Sequence, residues 1–255
     1  MKVGILLITY KRTEFLDALI SKIEELNLPT IFYQNLSLGN NKKFIEVQNL
    51  LYKSLNKKDK FSYINPPKPL SAKDSIIFAI NYASNLFDYL LIIEDDICIK
   101  KLSKKLLFES VQLVKGKVAS VSLYSPYVMN TNSIYDSYVL LKSIYGHSWG
   151  WILNSKIWKE FQFDRKNDFF KNIINIKKIN FSYRKFAYHN LSFLAEKNII
   201  DTWDYSWNSY CQSKNYYHYK FVPSITKHLG NRDNYATNSK NTIQNDSIQI
   251  NLVDN

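Results

Sequence analysis

The run Tyr89-Leu90-Leu91-Ile92-Ile93 passes without interruption into Glu94-Asp95-Asp96. An unbroken apolar segment of this length reads as a strand covered on both faces, the pattern of a parallel sheet between helices. The three acids therefore stand where the chain leaves the core. Adjacent carboxylates repel in a partly desolvated crevice. Water relieves that repulsion if the segment is a solvated turn capping a helix. A hard divalent cation relieves it as well, because Mg²⁺ and Mn²⁺ take oxygen ligands and bridge to diphosphates. The apolar strand leading into the acids favours the second reading.

The surrounding pattern places this turn in an α/β fold. Val3 to Ile8 is a second continuous apolar run. Thr13 is the expected cap of a following helix, in which Phe15, Leu16, Leu19, Ile20, Ile23 and Leu26 recur at helical spacing. Thr30-Tyr33 and Phe61-Ile64 read as strands, and Phe44-Leu55 and Ser71-Leu86 as helices. Strands alternating with helices predict right-handed βαβ units in a mostly parallel sheet, with ligands beyond the carboxyl ends of the strands. Tyr10-Lys11-Arg12, Gln34-Asn35 and Glu94-Asp95-Asp96 all fall at such ends.

The second half is less regular. Val118-Tyr124 and Tyr216-Ile225 read as strands, Leu191-Lys197 as helix, and a strand-like segment lies within Tyr138-Leu153. Residues 165–186 mix Arg and Lys with Phe and Tyr. That composition suits either an amphipathic helix pair on the core or docking to an anionic surface. Residues 231–255 are rich in Asn, Ser and Thr, as in a lid or a flexible tail. No repeat or linker divides the chain, so a single domain over 1–255 is expected.

The formal charge of +12 favours anionic partners without choosing among nucleotides, acidic glycans, nucleic acid or membrane. Two isolated cysteines, Cys98 and Cys211, argue against a disulfide framework or a zinc site. No run of about 20 apolar residues is present, so a cytoplasmic protein is expected, with peripheral contact at the inner membrane as a variant.

Leu91-Ile92-Ile93-Glu94-Asp95-Asp96 resembles the DxD-type metal turn of GT-A-fold glycosyltransferases, in the form found in N-acetylglucosaminyltransferase I and bacterial relatives. Further segments resemble that family in order. They are Thr9-Tyr10-Lys11-Arg12, Gln34-Asn35, Ser71-Ala72-Lys73, Trp149-Gly150-Trp151, Trp203-Asp204-Tyr205-Ser206-Trp207, and Pro223 through Gly230 with His228. The resemblance implies a Rossmann-like GT-A sheet flanked by helices. Residues 1–100 would bind a nucleotide sugar and 101–230 an acceptor. It implies Mn²⁺ or Mg²⁺ on Asp96 and His228. Thr9, Tyr10, Arg12, Gln34, Lys73, Glu94 and Asp95 would contact a donor, UDP-linked by expectation. Trp149, Trp151 and Trp203 would contact a glycan, lipid-linked or glycolipid acceptor. Asp204 would be the general base of an inverting transfer, with Asp201 as the alternative and helix capping as the other use of both acids. Asn35 and Lys73 depart from the family, which has an acid in some members and Arg in many at these places.

Two other functions compete. A sugar-nucleotide-forming nucleotidyltransferase would carry a Gly-rich loop after its first strand, and Thr9-Tyr10-Lys11-Arg12 has no glycine. A basic nucleic-acid-binding protein would leave the acidic strand end unexplained, so nucleic acid is not an expected partner.

Overall fold

The apolar runs become the centre of an eight-stranded sheet in the order β3-β2-β1-β4-β9-β6-β10-β8. The computed structural model describes residues 1–37, 41–56, 59–129, 138–166, 183–229 and 248–250. In the sheet, β1 is Val3–Thr9, β2 Thr30–Gln34, β3 Phe61–Ile64 and β4 Tyr89–Glu94. Further along the chain come β6 (Val118–Ser122), β8 (Val139–Ser143), β9 (Trp151–Asn154) and β10 (Tyr217–Val222). Strands β3, β2, β1, β4, β6 and β10 run one way, while β9 and β8 run against them. The α/β class expected from the sequence is what the chain adopts. Its less regular half supplies four strands of the same sheet rather than a separate body.

Helices cover both faces. They are α1 (Leu16–Leu26), α2 (Lys42–Leu55), α3 (Ala72–Ser84), α4 (Lys104–Leu113), α5 (Ser155–Lys166), α6 (Tyr183–Glu196) and α7 (Asp204–Ser213). Along β1, Ile5 and Leu7 join the core shared with α1, α2 and α4, while Leu6 and Ile8 join the core shared with α3, α5 and α7. That alternation is why the strand is buried along its whole length. On α1, Leu16, Leu19, Ile20, Ile23 and Leu26 form the buried stripe, each stabilising by about 1.5–3 kcal/mol on full burial.

Ser71 caps α3, its hydroxyl accepting from the Asp74 amide at 3.2 Å. Thr13 does not cap α1. Phe15 holds the cap position without a side-chain bond, and Thr13 offers only its carbonyl to the Leu16 amide at 3.2 Å. The physical reason is register: a turn at residues 14–15 delays the helix beyond reach of the Thr13 hydroxyl.

Among the described residues, four short strands lie outside the main sheet, in two pairs. β5 (Ile97–Ile99) pairs antiparallel with β11 (Thr226–His228). β7 (Tyr127–Met129) pairs parallel with β12 (Ile248–Ile250). Of the expected lid or tail, only residues 248–250 fall among the described residues. Residues 167–182 of the basic aromatic stretch lie outside them. Cys98 and Cys211 are free thiols. Among the described residues, no helix is long and apolar enough to cross a membrane.

Candidate functional site

The carboxyl ends of β1, β2 and β4 meet at one edge of the sheet, and pairing of Ile8 with Glu94 aligns the first and last of these. The Asp95 amide donates to the Ile8 carbonyl at 3.0 Å. The Asp95 carboxylate accepts from the Tyr10 amide at 2.8 Å and from Arg12 Nη1 at 3.0 Å. Arg12 Nη1 also lies 3.1 Å from Asp96 Oδ2. One guanidinium thus ties the end of β1 to the acidic turn through two nearly buried carboxylates.

Asp96 has a second neighbour. Pairing of β5 with β11 sets His228 opposite Ile97, and His228 Nε2 lies 3.4 Å from Asp96 Oδ2. The Leu229 amide donates to the Asp96 carbonyl at 2.8 Å and fixes this approach. Trp149 stacks on the imidazole, with centroids 4.3 Å apart and planes at 18°. Trp149 reaches that place because Gly150 has φ +80°, and a Cβ there would meet Thr226 Cγ2 at 2.9 Å. Only glycine combines this backbone conformation with so close an approach.

The three acids differ in proton affinity. Burial, then the charges of Asp96 and Asp95, push Glu94 up to about 8. Burial raises Asp95 to about 6 although Arg12 acts against it. For Asp96, burial raises, but hydrogen bonding and charge from His228, and the charge of Arg12, outweigh it and hold the carboxyl below its ordinary value. Asp96 is the carboxylate kept ionised.

Asp204 opens α7 and lies close enough to Glu94 for its charge to raise that group. Burial raises Asp204 itself, while the Thr202 hydroxyl and the amides of Asp204 and Tyr205 support its ionised form. Asn208 clamps this end of α7. Its side-chain amide donates to the Asp204 carbonyl at 2.9 Å, and its side-chain oxygen accepts from the Gly146 amide at 2.7 Å. A cavity of about 10 Å³, room for about one water molecule, separates Asp204 from Gly146, His147 and Ser148.

The remaining expected residues divide by exposure. Tyr10 is 38% exposed, with Lys11 Nζ over its ring at 4.5 Å. Thr9 donates its hydroxyl to the Tyr33 carbonyl at 3.0 Å. Gln34 is wholly buried. Its amide nitrogen donates to the carbonyls of Tyr10 and Phe44, and its oxygen accepts from the Tyr63 hydroxyl. It shapes the turn after β1 from beneath. Asn35 exchanges two hydrogen bonds with the Leu70 backbone. Lys73 is buried and donates to the Ala195 carbonyl at 2.7 Å and to the Asn198 side chain. Asp201 caps α3, accepting from the amides of Ala72 and Lys73 at 2.9 and 3.0 Å. Trp151 and Trp203 stack on each other with centroids 5.4 Å apart and are nearly buried, whereas Trp149 stays part-exposed.

Near His147, which the sequence offers as an acceptor contact or a loop-packing residue, lie two buried residues that the sequence reading did not single out. His218 is fully buried, with Nδ1 2.7 Å from Ser120 Oγ, and Lys220 on the same face is 4% exposed. Burial and then the charge of Lys220 lower both His147 and His218 to about 3. Burial alone lowers Lys220 to about 8. The available signal was Ser120 and Ser122, two small hydroxyls at alternate positions of the paired strand β6.

No protein-family model and no curated protein matches the chain. Among solved structures, the mannosyltransferase PcManGT from Pyrobaculum calidifontis, in complex with GDP-Man and Mn²⁺, is similar at 10% identity and TM-score 0.44 over 62% of this chain. The 4-diphosphocytidyl-2C-methyl-D-erythritol synthase of Anaerococcus prevotii is similar at 11% identity and TM-score 0.38, over 64% of this chain and 76% of that one. The apo-form glycosyltransferase GlyE of Streptococcus pneumoniae is similar at 13% identity and TM-score 0.34 over 71% of this chain. The chain spans 46% of the mannosyltransferase and 40% of GlyE. At such identities and scores these likenesses bear on no residue of the site.

Proposed function

We propose that this chain is a metal-dependent glycosyltransferase that moves a sugar from a nucleoside-diphosphate donor to a glycan or lipid-linked acceptor. The observation that carries the reading is the convergence of Asp96 and His228 at 3.4 Å on the strand edge that also holds Arg12, Glu94 and Asp204.

The donor set suits Mn²⁺ or Mg²⁺ held partly by its substrate. Among the described residues, no three His, Cys, Asp or Glu side chains enclose a common point. Asp96 and His228 offer an ionised carboxylate and an imidazole, which leaves positions for diphosphate oxygens and water, the usual arrangement for these ions. When bound, the ion offsets the negative charge gathering on the departing diphosphate.

The chain's own residues do the rest. Arg12 and the Tyr10 amide hold Asp95 fixed, and Arg12 with His228 orients the Asp96 carboxylate for the metal. Tyr10 presents an exposed ring for the nucleoside, with Thr9 and Gln34 shaping the turn beneath it. Glu94, with its raised proton affinity, donates or accepts a hydrogen bond at the sugar. Asp204 takes the proton of the acceptor hydroxyl. The oxygen then attacks the anomeric carbon opposite the leaving nucleoside diphosphate, so the configuration inverts. Trp149 offers a part-exposed ring to the acceptor, and Trp151 and Trp203 support the floor behind it.

A screen of sugar nucleotides with Mn²⁺ and with chelator tests this reading. Metal-dependent binding and release of nucleoside diphosphate are expected. Release of pyrophosphate from a nucleoside triphosphate would instead establish the nucleotidyltransferase alternative. Failure of every nucleotide to bind with Mn²⁺ present would overturn both.

A further inference from the structure

Buried lysines normally end on a carboxylate or a carbonyl, because an unpaired ammonium is costly in a dry site. Lys220 does not. Among the described residues its ammonium makes no hydrogen bond and no ion pair, and no nearby acid raises its proton affinity. It is 4% exposed. Trp207 Nε1 and His218 Nε2 are sealed from solvent without a partner, but the Lys220 ammonium is not one of these sealed atoms. The stem is enclosed and the tip is reachable.

The surroundings lack a counter-charge and supply neutral donors. Lys220 pairs in register with Ser122, so both side chains stand on the same sheet face. The Ser122 hydroxyl accepts from the His147 amide at 2.9 Å and donates to the His147 carbonyl at 3.0 Å, which lays residue 147 over that position. His147 is part-exposed, and it lines the same small cavity as Asp204. A reachable ammonium beside an imidazole, with no carboxylate paired to it, is a half-built ion pair. The missing half is an anion.

We propose that Lys220, with His147 above it, forms a subsite for an anionic group, the carboxylate or phosphate of an acidic acceptor. The word acceptor rests on the transferase reading; the anion site stands on Lys220 itself. An acceptor anchored there is drawn by charge, while the acidic turn keeps its negative charge for the donor's metal. A neutral acceptor would leave the ammonium unpaired and is disfavoured, since an unmatched buried polar group discriminates strongly between substrates.

The test uses the full chain without metal or nucleotide, so its outcome is independent of donor binding. Sodium glucuronate, inorganic phosphate and glucose are titrated separately while the imidazole signals of His147 and His218 are followed by NMR. Saturable shifts with glucuronate or with phosphate, and none with glucose, are expected. A response to glucuronate alone assigns a carboxylate sugar, and a response to phosphate alone assigns a phosphorylated acceptor. Lys220→Met is expected to weaken the effective anion at least about tenfold, the loss typical of a charge-assisted hydrogen bond. Should that variant fail to fold, the Lys220 side-chain signal of the unaltered chain serves instead, since a bound anion raises its proton affinity. Absence of any shift with both anions, or anion binding unchanged in a folded Lys220→Met, would overturn the proposal.

Discussion

The acidic turn after β4 and the basic cluster on β10 belong to the same sheet and are shaped by the same force in opposite directions. Burial raises Glu94 and Asp95 and lowers His147, His218 and Lys220. The acidic side keeps a charged member because Arg12 and His228 stand beside Asp96. On the basic side burial, and then the charge of Lys220, keeps the imidazoles neutral, and Lys220 has no carboxylate partner among the described residues. Desolvation sets both clusters on edge. Internal counter-charges decide that one is partly satisfied and the other waits for a ligand.

The largest expected effect breaks the acidic side. Asp96→Ala should abolish metal-dependent nucleoside diphosphate binding, a loss of more than about 100-fold by calorimetry. Unchanged affinity would remove Asp96 from the metal site. Next, Asp204→Asn should leave donor affinity within about twofold while transfer falls by about 10²–10⁴. The same variant should unfold at a higher temperature at neutral pH, because a carboxylate whose proton affinity is raised by burial costs stability when ionised. Persisting transfer would name another base.

A third prediction sets the clusters against each other. His147 and His218 fall from 6.5 to about 3 on folding, so their contribution is complete above pH 6.5 and is lost as pH falls towards 3. Glu94 and Asp95 rise from 4.5 and 3.8 to about 8 and about 6, so their contribution is complete at low pH and is lost as pH climbs through those values. Between pH 4.5 and 6 the slopes oppose each other. His218→Gln should unmask the acidic cluster, making stability in chelator fall with rising pH there by about 1.4 kcal/mol per unit more than in the parent. Urea titrations across pH 4–7 read this directly, and identical slopes would show that His218 is not buried neutral. The smallest effect concerns the seam. Gly150→Ala should cost about 1–2 kcal/mol for the left-handed backbone, with a further cost where the new Cβ meets Thr226. A melting temperature within a degree of the parent would sink the claim that glycine is required.

Much of the fold was legible because long apolar runs fix strands by themselves. β1 and β4 are such runs, and the acidic turn followed from where β4 had to end. Helices α1 and α3 were both legible from their apolar spacing, but the cap of α1 was not, since Thr13 satisfies the cap pattern and the chain turns first. Tryptophans were the least legible. Trp149 and Trp151 differ only by the positive-φ turn at Gly150, which keeps Trp151 in the sheet and sends Trp149 onto His228. Strand β10 hid its chemistry through alternation. Tyr217 and Tyr219 mark one face and His218 and Lys220 the other, and hydropathy points the tyrosines inward. The structure leaves the tyrosines half-buried and buries His218 and Lys220 more fully, because β6 offers Ser120 and Ser122 on that face and α7 closes over it.

The Asn208 clamp gives the molecule a mechanical property. One amide side chain holds both the carbonyl of Asp204 and the backbone of Gly146. A load applied to the 145–148 loop is therefore delivered to the first turn of α7, as through a bell crank. An acceptor that pulls on His147 would tighten or slacken the very turn that aims the Asp204 carboxylate. Seating of the acceptor and readiness of the base would then be one movement.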